Sequence, residues 1–447
     1  MNNYKLIEIQ MADLNESGKI GKLDCHIKLS RKDRITYGAN SEFQNTGGDL
    51  GFEQSLNISH SNAFKKAEVL KLSVYGAMEM RSGGSINKSD NFFKKFNTYE
   101  TGSNLNLFIP RFLMPANEAL FPKYFNPSTN IRLGYNFQNR PDFKRNILNL
   151  GFGYNWSPLS SKNHNLKLID ISAVKINPTS EFQNEINSLR DPRLKYSYQN
   201  HLVINSSYQY IYSKREKDDK PFFYFSFNFE NGGLMLDAIH NVLNGESDKN
   251  NQGLVLGVPY AQYIKIENDL RYYFKTGKKV MNVLRFYSGI GLPYNNSKAL
   301  PFEKSFYIGG ANSLRAYPLG MIGLGSYYND SQLFEKTGDI KLEANYEVRF
   351  PIAGSLNGAI FGDAGNIWLL KKSDDFVGGE FTFDRFLTEF YLNIGYGLRY
   401  DLQYLIIRID IAHPIYQPFY DKSERWTMRN TEGKITTGLN FAIGYPF

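Results

Sequence analysis

Leu148-Asn149-Leu150-Gly151-Phe152-Gly153-Tyr154-Asn155-Trp156 decides how this chain folds. Leu148, Leu150, Phe152, Tyr154 and Trp156 alternate with Asn149, Gly151, Gly153 and Asn155, a period of two that sets every large side chain on one face of an extended strand. The pattern recurs on both sides. In residues 130–138, Ile131, Leu133, Tyr135 and Phe137 alternate with polar residues and glycine, and in 223–230 four phenylalanines alternate with Tyr224, Ser226, Asn228 and Glu230. A soluble sandwich shows the same alternation with its apolar side in a core. Segments of about ten residues, aromatic strand ends and polar faces rich in Gly and Asn tip the choice to a transmembrane barrel with a wet lumen.

Candidate strands fall at 34–43, 51–60, 68–80, 99–109, 128–140, 145–157, 165–177, 199–213, 221–230, 259–274, 279–292, 338–350, 355–368, 388–401, 404–413 and 435–447. That is about sixteen, an even number as in single-chain bacterial barrels. Short connections such as Asp401-Leu402-Gln403 alternate with long ones such as 293–337, which predicts tight turns at one rim and long loops at the other. Within the connection 231–258, residues 233–243 read as a short amphipathic helix that packs in a loop.

Composition supports a barrel and excludes several alternatives. The chain has 447 residues with 31 Tyr and 34 Phe, and its apolar runs fall short of the roughly 18 residues a membrane helix needs. Net charge is +8 with both signs interspersed, which favours anionic head groups over a nucleic-acid stripe. Cys25 is the only cysteine, so no intrachain disulfide forms. The opening residues lack a basic n-region and an apolar h-region, so a protein that crosses an inner membrane is represented here without its start. The histidines form no i, i+4 pair, and neither a nucleophile elbow nor a P-loop occurs. A barrel-embedded hydrolase built from distant Ser and His stays open as an alternative, but the reading is non-enzymatic, without cofactor or metal.

One segment interrupts the strand pattern. Residues 306–320, Phe-Tyr-Ile-Gly-Gly-Ala-Asn-Ser-Leu-Arg-Ala-Tyr-Pro-Leu-Gly, read as a tight loop with Arg315 at its tip, entered through Gly309 and Gly310 and left through Tyr317, Pro318 and Gly320. By itself a lone arginine in such a loop is an ordinary surface residue. Leu314-Arg315-Ala316-Tyr317 resembles the Val-Arg-Gly-Phe/Tyr loop of the bacterial outer-membrane assembly factors of BamA/TamA type, the surface antigen family, with Ala316 in place of glycine. Two later segments resemble that family's following strands: Glu347-Val348-Arg349-Phe350-Pro351, and Phe361-Gly362-Asp363-Ala364-Gly365-Asn366-Ile367-Trp368. The resemblance implies that Glu347 and Asp363 are acidic partners of Arg315 in a loop lock. Glu343, Glu347 and Arg349 share the polar, lumen-facing side of their strand, whereas the alternation around Asp363 is too irregular to assign its face. The segment 260–273 is similar to the Bacteroidetes TamA-like branch.

The resemblance also implies an architecture: residues 1–32 as a remnant of the last periplasmic POTRA domain or a linker, and 33–447 as an outer-membrane β-barrel with an inward-folded loop. On the residues alone 1–32 is equally a loose N-terminal strand. Leu439, Phe441, Ile443, Tyr445 and Phe447 alternate to the chain's last residue, which resembles the C-terminal signal of outer-membrane barrels. The implied function is assembly of client β-barrels at a lateral seam between the first and last strands, with Gly38 weakening one side and Gly438, Gly444 and Phe447 marking the other. Implied partners are unfolded outer-membrane β-barrel clients, outer-membrane lipids, periplasmic chaperones and accessory lipoproteins, with no nucleic acid. A polypeptide-secretion pore or a passive porin is the alternative.

Overall fold

A computed structural model describes residues 4–14, 22–31, 33–46, 49–80, 96–113, 122–188, 199–214, 220–242, 245–247, 252–328, 336–402, 405–427 and 437–447. Two strands at the start, β1 (Tyr4–Leu14) and β2 (Lys22–Arg31), pair antiparallel as a small sheet of their own. All sixteen predicted barrel strands follow. They are β3 (Ile35–Thr46), β4 (Asp49–Ser61), β5 (Val69–Met80), β6 (Thr98–Ile109), β7 (Ser128–Asn139), β8 (Phe143–Leu159), β9 (Lys162–Pro178), β10 (His201–Ser213) and β11 (Phe222–Gly232). After the two-residue strands β12 (Leu254–Val255) and β13 (Val258–Pro259) come β14 (Tyr263–Thr276), β15 (Val280–Pro293), β16 (Ile340–Ala353), β17 (Leu356–Trp368), β18 (Tyr391–Asp401), β19 (Ile406–Tyr416) and β20 (Gly438–Ile443). Apart from β12 and β13, which pair with each other, each strand lies beside its neighbours in sequence, in one antiparallel sheet running from β3 to β20.

The sheet is inside-out relative to a soluble protein. Leu133, Leu148 and Leu150 stand side by side on β7 and β8 and are exposed, as are Ile394, Tyr396 and Leu398 on β18. Glu343, Glu347, Asp363, Arg399, Arg408 and Asp410 are buried on the other face. A water-soluble fold would bury the first set and solvate the second. Only a hydrocarbon surround rewards this arrangement, and strands joined edge to edge supply the backbone hydrogen bonds it demands.

An even strand number brings the start of β3 and the end of β20 to one rim. Most connections on that rim are short, at 160–161, 277–279 and 354–355, although 110–127 is long. The opposite rim carries the long ones, 81–97, 179–200, 233–262, 294–339, 369–390 and 417–437, with short exceptions at 47–48 and 140–142. Among the described residues two of its loops contain α-helices, α1 (Ser180–Ser188) and α2 (Leu234–Val242). The i, i+4 pair Phe182 and Ile186 holds α1 against Phe143, Val174 and Ile176.

The last strand is shorter than its alternation predicts. It ends at Ile443, because Gly444 takes φ +83°, a left-handed conformation that breaks the extended chain. Phe447 therefore leaves the outward series Leu439, Phe441 and Ile443 and is buried, its ring 5.8 Å from the Arg349 guanidinium carbon. The candidate strand 435–447 is corrected to Gly438–Ile443 among the described residues, and the alternation read through to Phe447 stops being strand at Gly444.

Candidate functional site

The connection between β15 and β16 folds back inside the sheet. Its two arms pair where Phe306 and Gly338 exchange backbone hydrogen bonds of 2.9 Å, and again where Gly310 N–H donates to the Tyr317 oxygen at 2.7 Å and Gly320 N–H to the Ile308 oxygen at 3.0 Å. So close a crossing requires glycine. Gly309 has φ +106°, and a Cβ there would stand 2.3 Å from the Pro318 oxygen. Ala316 has no left-handed backbone, so its methyl group is accommodated where the resembling family carries glycine. Ile308, Leu314, Ala316 and Tyr317 pack against Phe361, Ile367, Tyr391 and Ala412 from β17, β18 and β19, with the Tyr317 and Tyr391 rings edge to face at 5.5 Å.

This packing delivers Arg315 to the inner wall, where it is 1% exposed. Its Nε and Nη2 donate to the two oxygens of Asp363 at 3.0 and 2.8 Å, and Nη1 donates to Glu347 Oε2 at 2.5 Å. The guanidinium lies over the Phe361 ring, 3.3 Å from its centroid. Fork-to-carboxylate pairing with a ring beneath is geometry that lysine cannot reproduce. Both acidic partners expected from the resemblance are therefore in place. Asp363 points inward, paired in register with Asn345 and Asn393. The alternation hid this because β17 is inverted in size here, with the large Phe361 inside beneath the guanidinium and the small Gly362 and Ala364 outside.

The ion cluster around Arg315 is larger than two carboxylates. Asp410 Oδ2 lies 3.7 Å from Arg315 Nη1 and Oδ1 lies 2.7 Å from Arg399 Nη1, while Arg399 Nη2 reaches Glu347 at 3.3 Å and Arg408 Nη1 reaches Asp410 at 3.4 Å. Arg349 donates to Glu347 at 2.8 Å and to the Phe447 main-chain oxygen at 3.1 Å. Glu343 accepts from Ser313 in the loop at 2.7 Å and from Arg285 at 2.8 Å. Buried ion clusters of this kind cost heavily to desolvate and add little net stability, but they are severely destabilised when one member is removed. Such a cluster fixes geometry. Arg399, Arg408 and Asp410 were not anticipated, although the signal was present: Ile407, Ile409 and Ile411 alternate with Arg408 and Asp410, which places both charges on the lumen side.

The loop also grips the last strand. Asn440 Nδ2 donates to the Arg315 main-chain oxygen at 2.6 Å, and a Cβ on Gly438 would stand 2.6 Å from that oxygen and 2.8 Å from Ala316 Cα. Gly438 thus belongs to the loop contact as well as to the strand end. Gly38 stands apart from this cluster, with Asn57 Cβ 3.9 Å from a notional Cβ and every side chain from residue 33 to 42 exposed. Away from the loop the wall keeps a polar cavity of about 320 Å³, lined by residues including Asn228, Glu230, Glu267 and Asp269.

Comparison with known proteins places this geometry. The profile of the Omp85 superfamily domain matches residues 35–447. Over 119 residues the chain is 29% identical to the outer membrane protein assembly factor BamA of Neisseria meningitidis serogroup B, an alignment covering 26% of this chain and 15% of that protein. Among solved structures, BamA from Haemophilus ducreyi lacking POTRA domains 1–3 superposes with a TM-score of 0.60 at 13% identity, covering 99% of this chain and 75% of that one. CdiB from Acinetobacter baumannii superposes with a TM-score of 0.53 at 12% identity, covering 99% and 65%. These two similarities are of fold.

Proposed function

We propose, on the premise that the chain belongs to the Omp85 superfamily, that this outer-membrane β-barrel inserts and folds other β-barrel proteins through the seam between β3 and β20. The observation that carries the reading is the contrast between the two ends of the sheet. At one end β20 is held from inside by the loop tip through Asn440 and Gly438. At the other, β3 pairs only with β4 among the described residues, and its side chains from Ile35 to Glu42 are all exposed. The two end strands approach within 8 Å between Cα atoms, yet no described residue of one is in ladder register with the other.

An unpaired strand edge is a template for another strand, and in hydrocarbon its N–H and C=O groups must find partners. A client strand adding to β3 or β20 satisfies them and begins a new sheet at the barrel's wall. Chemistry is not required; exchange of backbone hydrogen bonds suffices, so the reading is non-enzymatic. The loop lock keeps β20 in place while the seam opens. Residues 1–32, with their separate β1–β2 pair, are read as the end of a POTRA domain that brings clients to the seam from the periplasm, with periplasmic chaperones and accessory lipoproteins as further partners.

Depletion of the protein, with complementation by the chain and its native upstream sequence, tests this reading. Loss of several unrelated outer-membrane barrels on depletion, restored by complementation, is the expected result. Unchanged barrel levels, with loss of one exported polypeptide or of one solute's uptake, overturn it in favour of a secretion pore or a porin.

A further inference from the structure

Helix α2 is amphipathic, but its apolar stripe points the wrong way for a packing helix. Leu234, Met235, Ala238, Ile239 and Val242, spaced i, i+1, i+4, i+5 and i+8, are all exposed, Leu234 at 64% and Val242 at 80%. Leu236 is buried on the opposite side, and Asp237 there accepts from Tyr260 at 3.1 Å. The adjoining β12–β13 hairpin repeats the anomaly. Leu256 at its tip is 94% exposed and adopts φ +53°, a left-handed turn position that ordinarily falls to Asn or Gly. Six large or small apolar side chains are thus presented outward from one short unit, two of them almost wholly bare.

The unit's place says what covers it. Ala261 N–H and Gly233 N–H donate to the Leu202 and Ile204 oxygens of β10, which ties both ends of the unit to that strand. An apolar cleft of about 580 Å³ is lined by Ile171, Leu202 and Ile204 of the barrel and by Leu236, Ile239, Leu254 and Leu256 of the unit, so that Ile239 and Leu256 border it while remaining exposed. Ile204 pairs with Ile171, Ile171 with Leu150 and Leu150 with Leu133, so the cleft continues the exposed apolar belt of the barrel's outer face. It sits at the long-loop rim, where β10 begins.

We propose that α2 and the β12–β13 hairpin form an interfacial anchor that inserts Leu256, Val242 and the rest of the stripe into the acyl-chain boundary of the leaflet at the long-loop rim. A short helix with its apolar face outward beside a hydrocarbon belt lies in the membrane plane, about 5–10 Å into the headgroup and acyl boundary. The inference rests on the reading of the sheet as a membrane barrel. The anchor sits against β9 and β10, on the wall away from strands β16–β20, and so holds that wall at a fixed depth while the β3–β20 seam opens.

Single cysteines at Leu256, Val242 and Leu148 in a Cys25→Ser background, labelled with an environment-sensitive fluorophore after reconstitution into phosphatidylcholine nanodiscs, test it. The expected result is a blue-shifted emission at Leu256→Cys and Val242→Cys, quenched by shallow doxyl-labelled lipid, with Leu148→Cys quenched by deeper label. Emission typical of water and no lipid quenching at 256 and 242, with Leu148 still quenched, overturns the anchor alone. Label-to-label contact between two copies at 256 or 242 overturns it in favour of a self-association surface. Absence of quenching at all three positions instead removes the membrane-barrel reading on which the anchor rests.

Discussion

Asn440 on the last strand donates a 2.6 Å hydrogen bond to the main-chain oxygen of Arg315, whose guanidinium is bound at its other end to Asp363 and Glu347. One residue therefore joins the inward loop, the wall strands β16 and β17, and the strand at the seam. Asn440→Leu leaves the Arg315 oxygen buried without this donor, a loss of about 1–3 kcal/mol. Gly438→Val places a Cβ within 2.6 Å of the same oxygen and pushes the loop tip off β20. Both variants are expected to fold, to lower the urea midpoint of the heat-modifiable form and to make β20 more accessible to thiol labelling, as measured with a cysteine at Leu439.

Arg315→Ala removes the cation from between three buried carboxylates, Glu347, Asp363 and Asp410. Breaking a buried ion cluster in this way costs about 3–5 kcal/mol. Arg315→Lys restores charge without the bidentate fork and should recover only part of the loss. Urea titration followed by gel mobility checks the order wild type, lysine variant, alanine variant. Equal midpoints for all three would show that the loop does not lock the wall.

Gly397 is the space into which the Arg399–Asp410 pair fits. A Cβ at this position would stand 2.0 Å from Asp410 Oδ1, 2.3 Å from Arg399 Nη1 and 2.6 Å from the Ile409 oxygen, and the last of these is backbone that cannot swing aside. Gly397→Ala is expected to destabilise by about 1–3 kcal/mol through overpacking. Gly38→Ala, at an open position on β3, is the control expected to leave the urea midpoint unchanged.

The strand count and the inside-out faces were legible because alternation is a local signal, whereas the Arg315–Glu347–Asp363 contact was legible only through the family resemblance, since by itself a lone arginine in a loop reads as a surface residue. Three features were not legible, each for a physical reason. Asp363's face was masked by the large inward Phe361 and the small outward Gly362 and Ala364, which serve the guanidinium on one side and the lipid surface on the other. Phe447's inward turn depends on Gly444 taking a left-handed conformation, which a glycine permits but does not announce. The sequence reads α2 as a helix packing in a loop, and Leu236 is indeed buried; that its larger apolar stripe faces outward was not legible, because periodicity reports that a helix has two faces, not which of them meets the protein.

The barrel fold itself has a direct consequence on detergent gels. A sheet whose strands are hydrogen-bonded to their neighbours everywhere but at the β3–β20 seam resists unfolding, so the chain should fractionate with the outer membrane and migrate faster unheated than boiled. Recovery as a soluble monomer without detergent contradicts the fold assignment.

The most direct measurement is a reversible lock on the seam. Cysteine pairs are scanned across residues 36–40 of β3 and 439–441 of β20 in a Cys25→Ser background, and the pair that oxidises is tested for support of outer-membrane barrel levels. If β3 and β20 must part to admit a client strand, the oxidised protein keeps its heat-modifiable fold, loses at least most of its assembly activity and regains it on reduction. An oxidised protein that still restores barrel levels fully would contradict assembly through the seam.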